Sequence, residues 1–550
     1  MRLGRLRLRR LIPACLPTWA VDLQELAVVR CVFGGCVLGP ASDSVGDAPL
    51  SPLFASLPRR KRGRTPFAGT ARRVLRTKGV RPLFLRRGTT IDGKGCSMTD
   101  RKKNRREFIE AVGAVGATSA LLGNSSALGN VSAAASQQLA IDGGTPVRSS
   151  MLGSGPYGTM FYDEVEEQEL LAVLRSRSPF RRAGGKVVQF ERDYASHIGA
   201  KFALAVTSGT TALYTAMAAL EVGPGDEVIL PAWNWYADYD VIVLAGALPV
   251  FAEIDDSFNI DPADIERHIT PRTKAIIAAH LEGCPCDMDA ILAVARKHDL
   301  RVLEDCAQCA GGQYQGKYVG TIGDIGINSF QLSKTITSGE GGAVTTNDPT
   351  LYERAVRFHD VGVTGRAYND SIGSGVLASF ASCNFRMNEF TAAVLCGQLR
   401  KLETICSSLR ANAKQVREGI ADLPDLKLRR SGDIEGDLGM RVFLDWGDRD
   451  RRDRFLRAVR AEGISANGPA GSVILPVSSR IANKSTVHPD WPSFNTPEGK
   501  SIRYGAECCP RTIDIINRYG GVTIGPGYTE QDVDDVIAAI RKVYLAMHTA

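Results

Sequence analysis

The spacing of apolar and polar residues changes along the chain. Between residues 139 and 400, short apolar runs typical of buried strands alternate with segments whose apolar residues recur at helical spacing. This alternation, with strands apolar on both faces, indicates an α/β fold in which helices flank a mostly parallel sheet. The strands are predicted in FALAVTS, DEVILP, LPVFAEI, KAIIAAHL, RVLED and GINSFQ, and the helices in TTALYTAMAALEV and DMDAILAVARKHD.

The pattern is different after about residue 400. A long polar helix, LRKLETICSSLRANAKQVREGIADL, leads to one strand, MRVFLDW, and a charged helix, DRDRRDRFLRAVRAEG. The last helix, TEQDVDDVIAAIRKVYLAM, begins with a threonine cap and a carboxylate-rich first turn. We therefore predict an N-terminal arm and large domain at residues 139–400 and a smaller α+β domain at residues 401–550.

The first part of the chain has a separate character. Residues 1–97 are rich in Arg, Pro and Gly without a sustained period, so they are either a disordered leader or lie upstream of a true start at Met98. Residues 98–138 resemble a twin-arginine export signal, with Arg105–Arg106 before an apolar stretch too short to span a bilayer well. An accidental amphipathic helix is the alternative. A functional signal predicts export to the periplasm, and otherwise the protein is cytoplasmic.

Charge excludes one class of function. The chain has 550 residues and a formal net charge of +7. Residues 1–97 hold 19 Lys/Arg and 5 Asp/Glu, which leaves 48 Lys/Arg and 55 Asp/Glu for the rest. Because the body of the protein is acidic, a basic groove for nucleic acid is not expected.

Four of the 13 cysteines form two local clusters. Cys284 and Cys286 lie in GCPCD, and Cys306 and Cys309 lie in EDCAQCAGG. Together they could form a four-thiolate zinc site. Their spacing lacks the paired two-residue knuckle pattern, so we favour buried small side chains at strand ends and predict no metal.

Three predicted strand ends carry polar groups, and ligands bind at this edge of α/β sheets. In AVTSGTTAL, Gly209 and Thr210 begin a helix whose N-terminus attracts anions, although ordinary helix capping has the same pattern. Asp305 ends the strand RVLED, where a buried ion pair or a helix cap is the alternative to a ligand contact. Lys334 follows GINSFQ and precedes GEGG, where it is either a surface lysine or an amine with a lowered pKa.

An anion site, a strand-end carboxylate and a lysine are the groups that pyridoxal phosphate requires. The first binds its phosphate, the second keeps its ring nitrogen protonated, and the third forms an imine with its aldehyde. Each of the three groups alone is weak evidence for this cofactor. Their occurrence together, in this order along the chain, makes the prediction stronger.

Residues from about 139 to 546 resemble the DegT/DnrJ/EryC1/StrS family of sugar aminotransferases. The matching stretches are SGTTAL, GDEVILPAWNW, HLEGCPCDMD, VLEDCAQCAGG, SFQLSKTITSGEGGAVTTND and NFRMNEFTAAVL. Within the family, the chain is most similar to the glutamine-dependent scyllo-inosose aminotransferases and aminohydroxybenzoate synthases. The motifs that carry this similarity are SFQLSK followed by TSGEGG, FRMNEF and the opening LAIDGGTPVR. The resemblance implies a pyridoxal-phosphate enzyme of fold type I, usually a homodimer, in polysaccharide or secondary-metabolite biosynthesis.

The resemblance also implies roles for individual residues. Lys334 would form the internal aldimine, Asp305 would pair with the pyridine nitrogen, and Gln308 would lie near the phenolic oxygen. Trp235 would stack on the ring, where a core aromatic is the alternative. Two features depart from the usual family pattern. The run WNWYADYD differs from the family sequence at a position that affects the substrate pocket, and an export signal is not expected in this family.

The phosphate contacts implied by the resemblance come from two subunits. Gly209, Thr210 and Ser329 would hold the phosphate within one chain. Asn384, in CNFRMNE, would reach the phosphate of the partner's cofactor, so the site would require a dimer.

The predicted function is transfer of an amino group from glutamine or glutamate to a keto-sugar or keto-cyclitol. Lys334 would act as general base and acid in both halves of the reaction. Two alternatives are a sugar dehydratase, which typically has His in place of the lysine, and a non-catalytic sugar-binding or regulatory protein.

Overall fold

The computed structural model describes residues 138–155, 157–181, 185–364, 368, 372 and 375–548. These residues lie within one compact unit. Residues 1–137, which hold the predicted leader and export signal, lie outside them. Among the described residues, none of the helices combines the length and the apolar character needed to cross a bilayer.

A seven-stranded sheet forms the centre of the protein, in the order β1-β10-β9-β6-β5-β2-β4. Strand β10 runs antiparallel to both of its neighbours, and the other adjacent pairs are parallel. The mostly parallel sheet predicted from the sequence is therefore confirmed. The strands are β1 (Phe202–Val206), β2 (Glu227–Pro231), β3 (Trp233–Asn234), β4 (Leu248–Ala252), β5 (Thr273–Ala279), β6 (Arg301–Asp305), β7 (Gln313–Tyr314), β8 (Lys317–Tyr318), β9 (Ile325–Ser329), β10 (Gly342–Thr346), β11 (Arg441–Asp445), β12 (Ala466–Asn467), β13 (Val473–Ile474) and β14 (Tyr519–Thr523).

Helices cover both faces of this sheet. On strand β5, Ile276 packs in a cluster with Ile291 of α6, and Ile277 packs in another cluster with Ala216 of α3. Apolar side chains on both faces explain the continuous apolar runs in the sequence. Among the described residues, the α-helices are α1 (Glu164–Ser176), α2 (Lys186–Ile198), α3 (Gly209–Ala219), α4 (Tyr236–Leu244), α5 (Pro262–His268), α6 (Met288–His298), α7 (Pro349–His359), α8 (Glu389–Leu399), α9 (Leu402–Gly419), α10 (Arg449–Ala461), α11 (Ser479–Ala482), α12 (Pro492–Asn495), α13 (Pro497–Ser501), α14 (Pro510–Arg518) and α15 (Glu530–His548).

The C-terminal part has its own small sheet. Strand β14 lies between β11 and β12 and is antiparallel to both. Helices α9 and α10 both pack against α15. Helix α15 begins as the sequence predicts, because Thr529 and Asp532 exchange hydrogen bonds in a capping box. The domain boundary near residue 400 stays a prediction.

A buried carboxylate, Glu462, anchors the arm that precedes the large sheet. Its oxygens accept hydrogen bonds from the amides of Ala140, at 2.8 Å, and Val147, at 3.1 Å. The ammonium group of Lys542 lies 2.8 Å from the same carboxylate. Glu462 has no exposed surface, and these partners offset the cost of burying its charge.

Candidate active site

The start of α3 forms a concave anion site at the end of β1. Ser208 and Thr211 form a capping box, in which the Thr211 amide donates to Ser208 Oγ at 3.2 Å. A Cβ atom added at Gly209 would lie 2.7 Å from the Cβ of Ser329, so only glycine lets the two segments approach this closely. The first-turn amides have no acceptor within the helix, and they and the helix dipole favour an anion here.

Asp305 lies at the end of β6, as the sequence predicts. Its side chain is largely buried, and Oδ1 accepts a hydrogen bond of 2.8 Å from the amide of Ala307. A second carboxyl group, that of Asp238 on α4, faces it. Burial and then the charge of Asp305 raise the pKa of Asp238 well above its usual value. Burial and the nearby carboxylate of Asp305 therefore both favour the protonated form of the Asp238 carboxyl group.

The two oxygens of the Asp238 side chain have different surroundings. Its Oδ2 accepts a hydrogen bond of 2.5 Å from the amide group of Asn234. Its Oδ1 is buried and accepts no hydrogen bond from any described residue. A protonated Oδ1 can donate to Asp305, which accounts for this atom in the interior.

Lys334 lies in the turn between β9 and β10. Its amide donates to the carbonyl of Gln331 at 2.9 Å, which fixes the turn. Burial lowers the pKa of the Lys334 ammonium, and the charges of Asp305 and Glu282 act in the opposite direction. The neutral amine, which is the nucleophilic form, therefore forms more readily than in a surface lysine.

Gln308 and Trp235 border the same space from two sides. The side-chain amide of Gln308 donates to the carbonyl of Gly471 at 3.2 Å and to Ser472 Oγ at 3.0 Å. Trp235 is 53% exposed although it is a large aromatic residue. A half-exposed indole that lines the cavity is available to stack on a planar ring.

One cavity of about 440 Å³ brings together seven of the eight predicted site residues. Asn384 is not among its lining residues. It is exposed, and its side-chain oxygen accepts a long hydrogen bond, of 3.4 Å, from the amide of Arg386. The seven that line the cavity are Gly209, Thr210, Trp235, Asp305, Gln308, Ser329 and Lys334.

These residues fit pyridoxal phosphate. The close approach of Gly209 to Ser329 leaves a cradle at a helix N-terminus that a larger side chain would fill. An acidic side chain and a lysine with a lowered pKa line the same cavity, which are the groups for the ring nitrogen and the aldehyde. The fit thus rests on three separate features.

The four clustered cysteines are not brought together into one compact group of ligand atoms within the described residues. Among the described residues, one group of at least three His, Cys, Asp or Glu ligand atoms is compact enough to hold an ion, and it contains His280, Glu304 and Cys306. The Glu304 carboxylate already accepts three backbone hydrogen bonds. Burial raises the pKa of the Cys284 thiol to about 12, which keeps it protonated.

Sequence reasoning missed three charged residues near the cavity. Asp238 lies in the run WNWYADYD, where an acidic residue in a first helical turn resembles an ordinary dipole partner. Glu282 lies three residues after the end of β5, at the same edge of the sheet as Asp305, which is the last residue of β6. Arg441 begins a predicted strand, and no local pattern distinguishes it.

Comparisons with known proteins agree with this geometry. The model of the DegT/DnrJ/EryC1/StrS aminotransferase family matches residues 162–468. The chain is 34% identical over 425 residues to a putative L-glutamine:3-amino-2,3-dideoxy-scyllo-inosose aminotransferase from Micromonospora echinospora, covering 74% of this chain and 97% of that protein. It is 35% identical over 374 residues to a GDP-perosamine synthase from Caulobacter vibrioides, covering 66% of this chain and 90% of that protein.

A solved structure supports the same assignment. The crystal structure of 3-amino-5-hydroxybenzoic acid synthase matches with a TM-score of 0.60 and 26% identity, covering 74% of this chain and 100% of that one. The family and its solved members are pyridoxal-phosphate enzymes of fold type I, as the cavity and the sheet indicate. This chain belongs to the DegT/DnrJ/EryC1/StrS aminotransferase family.

Proposed function

We propose that this aminotransferase moves an amino group from glutamine or glutamate to a keto-cyclitol or keto-sugar. The observation that carries the proposal is that Lys334, Asp305 and the anion site at Gly209 line one cavity. Relatives named as scyllo-inosose aminotransferases and as GDP-perosamine synthases support an acceptor of the carbohydrate or cyclitol class. Glutamine in the name of the first relative supports an amino-acid donor.

Each residue has a distinct task in this reaction. Pyridoxal phosphate, when bound, supplies an electron sink for the bond that breaks at the donor's α-carbon. Lys334 would hold the cofactor covalently until the donor's amine displaces it. The freed amine would then remove the proton from that α-carbon and later deliver a proton to the former carbonyl carbon of the acceptor. Asp305 would keep the ring nitrogen protonated, and the anion site and Trp235 would fix the position of the ring.

The lowered pKa of Lys334 supports its role as a base. A lysine in water is almost wholly protonated at neutral pH and cannot accept a proton. Burial lowers the pKa of the Lys334 ammonium, and Asp305 limits that shift by its negative charge. The same carboxylate would thus serve the cofactor and adjust the base.

The function is tested by separating its two halves. Purified holoenzyme is mixed with glutamine, glutamate or an amino-cyclitol, and the loss of absorbance of the lysine-bound cofactor is followed. We expect conversion by one amino acid and by the aminated product, and conversion by neither would contradict transamination. The acceptor is then identified by comparing scyllo-inosose with a nucleotide-linked 4-keto sugar.

Lys334→Ala should abolish both the absorbance of the lysine-bound cofactor and turnover. Lys317→Ala is the matched control, because Lys317 is exposed on β8 and does not line the cavity. Turnover by Lys334→Ala at the wild-type rate would show that another group does this chemistry.

We further propose a homodimer in which Asn384 contacts the partner's cofactor phosphate. The exposed position of Asn384 outside its own cavity supports this proposal. Mixed dimers of Lys334→Ala and Asn384→Ala would regain activity if the site is shared, since one of the two sites would then be intact. Failure of such mixtures to exceed the parent variants would contradict it.

Export by the twin-arginine route is a separate proposal. It is supported by Arg105–Arg106 and the apolar stretch that follows. Fractionation of cells with wild-type protein and with Arg105→Lys, Arg106→Lys tests it, because the double variant should remain in the cytoplasm. Identical distribution of the two proteins would contradict export by this signal.

A further inference from the structure

A second cavity, of about 280 Å³, adjoins the first at Lys334. The two share Lys334 and Gln308 among their lining residues. The second cavity is also lined by a salt-bridged pair, Glu282 and Arg441, neither of which lines the first. It therefore offers a charged extension of the space next to the reactive amine.

Glu282 is held in place by several contacts. It is 5% exposed, and its carboxylate lies 2.8 Å and 2.9 Å from Nη1 of Arg441. One oxygen also accepts hydrogen bonds from the amides of Ala470, at 3.1 Å, and Gly471, at 3.0 Å. Its backbone has φ of 52°, a left-handed conformation that is uncommon for residues other than glycine. A strained, buried carboxylate beside a reactive site is a sign of function.

Arg441 uses only part of its hydrogen-bonding capacity. Its side chain is 20% exposed, and Nη1 makes both contacts to Glu282. Within the part of the chain that the structure describes, Nε and Nη2 donate no hydrogen bond. Arg441 also lines a third cavity, of about 550 Å³, that opens beside the second. Its spare donors are thus available to a ligand, and a guanidinium binds a carboxylate in a bidentate manner.

The two substrates of the proposed reaction place opposite demands on this region. An amino-acid donor carries an α-carboxylate, whereas the ring of a keto-cyclitol or keto-sugar is an uncharged polyol around the reacting carbonyl. A lone guanidinium would favour the donor but would remain unneutralised beside the acceptor, which is costly in a half-buried site. A guanidinium that already has a carboxylate partner meets both demands.

We propose that Arg441 binds the α-carboxylate of the amino-acid donor, and that Glu282 neutralises Arg441 when the uncharged acceptor occupies the cleft. This inference rests on the proposed transamination. It assigns Arg441 and Glu282 to substrate discrimination: Arg441 contacts the donor directly, and Glu282 acts on it through Arg441.

Two variants that each remove one charge should change the two half-reactions in different ways. Arg441→Gln should lower kcat/KM with L-glutamine by about 100-fold, because a charge-assisted contact in a half-buried site is lost. Its effect on the amino-cyclitol half-reaction should be at least about tenfold smaller, since that substrate has no carboxylate. Glu282→Gln should act in the opposite sense, weakening the amino-cyclitol half-reaction while strengthening donor binding.

Binding can be measured without turnover. The probe is 4-carbamoylbutanoate, which is glutamine without its amino group and cannot react. Calorimetry with the holoenzyme should show about 100-fold weaker binding to Arg441→Gln. Binding to Glu282→Gln should be about threefold tighter, because the competing carboxylate has lost its charge while its oxygen still accepts from the amides of Ala470 and Gly471.

Arg430→Gln is the matched control, because Arg430 is exposed, pairs with Asp255 and does not line these cavities. It should leave both half-reactions and probe binding unchanged. If Arg441→Gln does not fold, as judged by thermal melting, Arg441→Lys tests the same ratio with a single ammonium in place of the fork. Equal losses in both half-reactions, or no loss in either, would overturn the inference. Wild-type holoenzyme that converts no amine overturns the proposed function itself.

Discussion

Glu304 and Asp305 are consecutive carboxylates on β6, yet their surroundings differ in every respect. Glu304 has no exposed surface and accepts hydrogen bonds from the amides of Gly320, at 2.8 Å, Ile322, at 2.7 Å, and Gly323, at 2.6 Å. Asp305 accepts one backbone hydrogen bond and lines the active-site cavity. Because successive side chains of a strand point to opposite faces, one residue step separates a structural acid from a functional one.

The imidazole next to Glu304 completes its environment. The amide of Cys286 donates to Nδ1 of His280, so the proton lies on Nε2, which is 3.1 Å from Glu304. Burial opposes ionisation of Glu304, but His280 and the backbone amides outweigh it and lower the pKa of the carboxyl. A buried carboxylate with all of its partners stabilises the fold and has no spare capacity for a ligand.

The surroundings of Asp305 are the opposite of those of Glu304. Its neighbour is Asp238, another acid, with a buried oxygen that accepts no hydrogen bond from the described residues. Two carboxyl groups this close cannot both ionise without cost, so the fold is less stable for having them. Such an arrangement is expected where chemistry rather than stability determines the residues.

The largest effect on stability is expected from removing the satisfied acid. Glu304→Ala leaves three amides and His280 without their acceptor, which should lower the free energy of unfolding by about 3–5 kcal/mol. Chemical denaturation measures the change, with Glu304→Gln as a variant of the same shape that should lose less. If Glu304→Ala is as stable as the wild type, the view of Glu304 as a structural acid is wrong.

Asp305→Asn should produce the opposite outcome. Asparagine keeps the size of the side chain and can still accept from the amide of Ala307, but it cannot hold a protonated ring nitrogen by charge. Turnover should fall by at least about 100-fold while the melting temperature changes little. A variant that is strongly destabilised and yet active would reverse the roles that we assign to Glu304 and Asp305.

Asp238→Asn should alter the pH dependence of stability. The folded pKa of Asp238 is raised, so its contribution to stability is fully present below the ordinary value of 3.8 and is lost as pH rises toward the folded pKa. Within that window, stability of the cofactor-free wild type should fall relative to Asp238→Asn by about 1.4 kcal/mol per pH unit. Urea denaturation at several pH values checks this, and parallel curves for the two proteins would contradict it.

The smallest change in stability is expected from the loss of an ordinary polar contact, which serves as a reference for the two acids. Thr529→Ala removes the cap of α15, far from both acids in the sequence, and should cost about 1 kcal/mol. Thr529→Ser keeps the hydroxyl and is the control. A loss as large as that of Glu304→Ala would mean that the difference between the acids is not specific to their surroundings.

Most of the fold was predictable because its apolar periods are strong. The strand RVLED matches β6 to the residue, and the predicted parallel sheet is confirmed. The antiparallel direction of β10 was not predicted, since direction depends on which strands become neighbours and not on the period of any one strand.

The site was predictable where one residue type follows a strand in a family motif, as with Lys334 and Asp305. Asp238 and Arg441 were not, because each becomes notable only through a partner distant in sequence: Asp238 faces Asp305, and Arg441 meets Glu282 159 residues away. Glu282 could have been found by a wider form of the rule applied to Asp305, since it is an acidic residue within three positions of the end of a buried strand.

The anchoring of the arm on Glu462 sets an order of events during synthesis. Ala140 leaves the ribosome 322 residues before the carboxylate that its amide contacts. The arm therefore has no anchor until almost the whole polypeptide has been translated, and it docks after the strands of the large sheet have emerged. The arm is therefore translated before the large sheet but becomes ordered after it.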